Sequence, residues 1–141
     1  MIEELDEAEC RRLIEPGGVG RLAFEGRYDL TVLPVNYKMH NGAIVFRTAA
    51  HSSTDEDLRT GIGIANAEYK VAFEVDSFSK ESEEGWSVLV QGPAHHVDEE
   101  DERADVEQTG VQPWAGQERQ HYIRITPSRI TGRRVQRDSD A

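Results

Sequence analysis

The chain has 141 residues, enough for one domain with a real core and too few for a second catalytic domain of ordinary size. Sixteen Lys and Arg against 27 Asp and Glu leave a net charge of −11, a surface that repels nucleic acid and anionic membranes. No apolar run approaches the roughly 20 residues of a membrane span, and the single cysteine, Cys10, excludes a disulfide framework.

The acidic start MIEELDEAEC does not read as a secretory signal, so a cytoplasmic location is expected. Only three of the cations are lysine, and abundant Asp and Glu with scarce Lys resembles the proteins of salt-loving archaea.

Leu5 to Ile14 reads as a short helix, with Asp6 as N-cap, Glu9 as its capping-box partner and Leu5 stapled onto Cys10. Pro16-Gly17-Gly18 ends it. Val19–Glu25 and Tyr28–Lys38 read as strands, and Pro34 points to an edge or a bulge in the second. His40-Asn41-Gly42 is a hairpin turn leading into a strand over Ala43–Thr48. A short helix follows from about Ser53 to Thr60. Lys70–Asp76 is a strand, Ser77–Gly85 a polar hairpin loop, and Trp86–Ala94 a strand running on through Val97. Asp98–Gln108 is acidic and helical, and Gln112–Gly116 is a connector. Tyr122–Thr126 and Arg129–Arg133 form the last strand or strand pair. Six or so strands joined mostly by hairpins imply a closed or partly closed antiparallel barrel. We expect one domain over residues 1–136 and a disordered tail at 137–141.

The strand ending Phe46-Arg47-Thr48 runs into the hydroxyls of Ser52, Ser53 and Thr54 and then a helix start at Asp55. Strand end, hydroxyl-rich turn and helix N-terminus together suit a phosphate, with Arg47 supplying charge. The same residues also suit an ordinary helix cap. Trp86 and Trp114 each sit beside turn residues, placed either to stack on a flat ligand or to pack a core. Gly17-Gly18-Val19-Gly20 opens a strand rather than a helix, the reverse of a dinucleotide fingerprint. His95 and His96 point to opposite faces of a strand, His40, His51 and His121 are scattered, and no metal is expected. No GxSxG element is present.

The order GVGRLAF, LTVLPVNY, GAIVFRT, a Ser/Thr turn, KVAFEVD, GWSVLVQGPA and QPWAGQERQHYIRITPSRITGRR resembles the pyridoxamine 5′-phosphate oxidase-like FMN-binding split barrels, from about Leu5 to Arg134. The resemblance implies a six-stranded antiparallel split β-barrel with short flanking helices. It implies a homodimer with FMN in the clefts between subunits. Leu33, Pro34, Val35 and Asn36 would lie along the flavin ring. Phe46, Arg47 and Thr48 would lie near the ribityl phosphate, and Ser52, Ser53 and Thr54 would grip it. Ser87, with Trp86 beside it and Trp114, would wall the cleft, Ser87 standing where the oxidases place a glutamine from the other subunit.

The oxidases carry an arginine at the position of Leu33 and an Arg-Lys pair at Ser53-Thr54, leaving Arg47 as the cation near this seat. Each missing charge-assisted contact, worth about 1.5–3 kcal/mol, weakens FMN binding by about one to two decades. Substrate residues of the true oxidases are not recognisable, and SRITGRR resembles the small uncharacterised branch of the family. The expectation is therefore an FMN-dependent oxidoreductase of unidentified substrate and catalytic residues. The alternatives are a non-enzymatic flavin store and a cofactor-less barrel acting as an interaction protein. A related deazaflavin cofactor would favour a basic groove, which this composition does not offer.

Overall fold

A computed structural model describes residues 1–26, 29–49, 54–58, 69–97, 104, 107–110 and 120–137. Alternation of apolar and polar residues shapes most of it into strands. These are β1 (Ile2–Leu5), β2 (Gly18–Glu25), β3 (Leu30–His40), β4 (Ala43–Ala49), β5 (Lys70–Ser79), β6 (Glu84–His96), β7 (Gln120–Ile125) and β8 (Arg129–Val135). The helix α1 (Glu7–Ile14) lies between β1 and β2.

Six strands close on themselves. β5 pairs with β2, β2 with β3, β3 with β4, β4 with β7, β7 with β6, and β6 returns to β5, each pair antiparallel. β8 and β1 extend the sheet from β6, so the architecture is a split barrel with two added strands. The long strand β6 makes the split. One edge follows β5, while the other pairs first with β8 and then, from Ala94, with β7. The chain crosses from β7 to β8 over Gly92. There Thr126 N–H donates to Pro93 O (3.1 Å) and Ser128 N–H to Gln91 O (2.8 Å). A Cβ on Gly92 would collide with the Thr126 carbonyl oxygen, so only glycine allows the crossing.

Inward residues fill the barrel. Phe73 meets Tyr37 edge-on at 5.3 Å and lies beside Phe46 at 6.2 Å. The Tyr37 hydroxyl donates to the Ile14 carbonyl (2.8 Å) at the end of α1, and burial pushes its pKa up to about 12. Asp6 caps α1 as expected, accepting the Glu9 N–H at 2.9 Å. The Glu9 carboxylate turns instead to Arg12 (2.6 Å) and Arg134 (3.1 Å), pinning the helix to β8.

Two expectations are corrected. Ile2–Leu5 is a strand on β8, so Leu5, expected to begin the helix, pairs with Gly132 instead; the partner lies at the other end of the sequence, and Glu3-Glu4 breaks any local alternation. The polar stretch at Ser77–Gly85 is mostly ladder, with Ser77 opposite Trp86 and Phe78 opposite Gly85. Backbone pairing is indifferent to polar side chains there, and the turn shrinks to residues 80–83, with Glu83 at φ 55°. Residues 54–58 are helical, within the expected helix, whose remaining residues lie outside the described ones. Most of Asp98–Gln108 is also outside them; Ala104 and Glu107 are helical. The turn at Asn41 (φ 51°) and Gly42 (φ 79°) is as expected. Pro34 sits where β3 has run past β4, whose pairing with β3 covers Tyr37 to His40. Among the described residues this leaves one edge of β3 open around Pro34.

Candidate functional site

Strand parity sorts the candidate residues between two faces. Tyr37 faces Phe46 inside the barrel, so their neighbours Asn36 and Arg47 lie outside. By the same alternation Leu33 and Val35 turn inward and Pro34 outward. Phe46 is wholly buried in the core, so it can offer a ligand only its backbone. On β6, Trp86 packs against the core, whereas Ser87 faces out. Thr54 is partly buried at the head of the helical turn. Ser52, Ser53 and Trp114 lie outside the described residues.

The outward set has two parts. In the first, the Arg47 guanidinium sits 5.3 Å from the centre of the Tyr122 ring, directly across the β4–β7 ladder. The adjoining β2–β3 surface shows exposed Val19, Val32 and Pro34 together with partly buried Asn36. The unpaired edge of β3 around Pro34 runs beside it. In the second part, Ser87 opens into a groove of about 600 Å³ over β5, β6 and β8, with Glu74, Leu89, Arg129 and Arg133 in its walls. Arg21 ties Glu74 (3.2 Å) to Asp76 (2.9 Å). Burial, and then the neighbouring Asp76, still raise the Glu74 pKa against the pull of Arg21. Ser87 lies nine residues before His96 on β6, about 30 Å at roughly 3.3 Å per residue. It lies toward the opposite end of β6 from the stretch that pairs with β7.

The inward face ends in a polar cluster that the sequence left dispersed. Thr48 turns inward, opposite His121 across the ladder, and its hydroxyl donates to Asp55 Oδ1 at 2.9 Å. His121 Nδ1 lies 2.9 Å from the same oxygen. His96 pairs with Ile123 and so shares a face with His121; the two rings stand edge-to-face at 6.0 Å. Asp55 is fully buried. Arg47 and Thr48, expected to hold one phosphate together, thus direct their side chains to opposite sides of β4. The expectation of scattered histidines is corrected for His96 and His121. The available signal was parity: His96 has that of Val90 and Ala94, His121 that of Ile123 and Ile125, all core residues.

Among known proteins, the family profile described as pyridoxamine 5′-phosphate oxidase matches residues 6–134. An uncharacterised protein of Mycobacterium tuberculosis is 29% identical over 138 residues, 98% of this chain and 88% of its own. A candidate pyridoxamine 5′-phosphate oxidase from Corynebacterium glutamicum superposes with TM-score 0.76 at 27% identity, covering 98% of this chain and 96% of the other. An FAD-binding protein from Mycobacterium smegmatis superposes with TM-score 0.75 at 28% identity, covering 95% and 100% respectively.

Proposed function

The chain belongs to the pyridoxamine 5′-phosphate oxidase family of FMN-binding split barrels, and from that premise we propose that it binds a flavin nucleotide at a homodimer interface and acts as an oxidoreductase. The observation that carries this reading is the pairing of an open β3 edge with Arg47 on the outward face. Backbone groups of Leu33 to Asn36 would hold the planar ring, and the Arg47 guanidinium the phosphate. The exposed Val19, Val32 and Pro34 supply apolar surface for a ring and a second subunit to cover. Bound flavin supplies the electron or hydride transfer, while the protein sets position and electrostatics. Ser87 would reach the cofactor of the other subunit. The described residues fit the group, with Arg47 as the phosphate cation among them where the oxidases proper have several.

FMN is the leading cofactor. FAD is the second reading, favoured by the similarity to the Mycobacterium smegmatis FAD-binding protein. Titrating the purified chain in molar salt with FMN, FAD and riboflavin, by flavin fluorescence, separates the two. Arg47→Ala should cost about 1.5–3 kcal/mol of FMN affinity, one to two decades in Kd, and far less for riboflavin, which has no phosphate. Equal loss for both ligands would place Arg47 elsewhere in the binding scheme. Absence of binding to any of the three would leave the interaction-protein alternative. Turnover with NADH or NADPH then distinguishes an oxidoreductase from a flavin store.

A further inference from the structure

We propose that Asp55, His96 and His121 form a binding site for a divalent transition-metal ion of the zinc class, at the end of the barrel. Its ligands share the inward side with Thr48, whereas the Arg47 guanidinium lies on the outward side of β4.

One ligand atom from each of the three residues lies within 4.8 Å of the other two. A tetrahedral zinc site needs ligand atoms about 3.3 Å apart, given metal–ligand distances near 2.0–2.1 Å. The Asp55–His121 pair, at 2.9 Å, is already close to that spacing. The remaining separations, up to 4.8 Å, must shorten for His96 to join.

The donor set selects the ion. Two imidazole nitrogens and one carboxylate suit zinc, cobalt or nickel and disfavour magnesium and calcium, which take oxygen. Three elements supply the ligands: the helical turn at 54–58, β6 and β7. The β6–β7 ladder sets the two histidines on one face, and the Thr48 hydroxyl donates to the Asp55 carboxylate. That contact is the outer-shell hydrogen bond that orients a ligating carboxylate.

Burial gives the cluster its energetic logic. The Asp55 side chain is 1% exposed and that of His121 13%. A buried carboxylate is held by hydrogen bonds, a paired charge or a metal ion, and Thr48 and His121 already meet Asp55 Oδ1. A divalent ion held by one carboxylate and two neutral imidazoles leaves a single net positive charge and a coordination position for water or an anionic ligand. His95, next in sequence to His96, points to the other face and takes no part.

The test uses the full chain, stripped with chelator and held in molar potassium chloride with excess magnesium to suppress binding to surface carboxylates. Zinc chloride is titrated by calorimetry, and cobalt chloride by visible absorption. We expect one zinc per chain, with a dissociation constant in the micromolar range or below, and the intense visible bands of four-coordinate cobalt. His96→Gln and His121→Gln should each weaken zinc binding at least about tenfold, the smaller figure known for loss of an outer-shell partner. His95→Gln should leave it unchanged, and zinc binding is read without added flavin, which keeps this outcome independent of the flavin reading. Circular dichroism checks that each variant folds. Absence of stoichiometric zinc binding by the native chain would overturn the proposal. So would a folded His96→Gln variant that binds zinc as the native chain does. If His96→Gln fails to fold, the native chain still decides: weak six-coordinate cobalt bands in place of four-coordinate ones would overturn the site.

Discussion

Gly92 shows how one residue governs the barrel's topology. It is the point on β6 where the β7–β8 connection passes over, and its missing side chain leaves room for the Thr126 carbonyl. Gly92→Ala should destabilise the fold by at least about 2 kcal/mol, because the obstacle is backbone and cannot rotate away. A melting temperature lower by about 5 °C or more would register it. Gly132 is tight for a different reason. A Cβ there would stand 2.6 Å from Cys10 Sγ, so α1 lies close against β8. Burial also raises the Cys10 thiol pKa, with the acidic side chains of α1 adding to the effect, which makes this cysteine a packing residue rather than a reactive one.

The attachment of α1 has a pH signature. The Arg12 guanidinium, and then that of Arg134, hold Glu9 down to about 2 from an ordinary 4.5. A carboxylate whose folded pKa is depressed contributes stability above its unfolded pKa and loses that contribution as pH falls through the folded one. Glu9→Gln should therefore lower stability near neutrality. The gap to the native chain should close between about pH 4.5 and 2. Urea unfolding of both chains at pH 7 and pH 3 measures this. A gap unchanged at pH 3 would mean that Glu9 contributes through packing rather than charge. β1 belongs to the same structural unit. It closes over β8, where Met1 N donates to Gln136 O at 2.8 Å and Gln136 N–H to Met1 O at 2.9 Å. Helix and strand together cover β8, which would otherwise be a bare edge.

Charge and assembly concern the molecule as a unit. A net charge of −11 on 141 residues repels itself, and screening relieves the repulsion. The melting temperature should therefore rise between low salt and molar potassium chloride; a flat or falling trend would argue against salt adaptation. The proposed dimer makes a second measurement informative. Sedimentation in molar salt should find twice the 15.9 kDa chain mass. A monomer would remove the shared-cleft reading. No helix among the described residues is long and apolar enough to cross a membrane.

Local patterning made most of the barrel legible. Alternation marked the strands β2 to β8, Asn41-Gly42 marked a hairpin, Asp6 marked a helix start, and Pro34 marked a strand edge. Each rests on interactions spanning a few residues, which a linear reading can see. The order of these pieces also carried the family, because the length of each connection is set by the barrel that it must close. What stayed hidden depends on partners distant in sequence. Ile2–Leu5 is a strand because β8 waits beside it. Arg47 and Thr48 part company because β7 defines an inside and an outside for β4. Asp55, His96 and His121 meet because two ladders and a helical turn converge at one end of the barrel. A sequence records residue types and spacing; which face a side chain takes, and whom it meets there, follows from closure of the sheet.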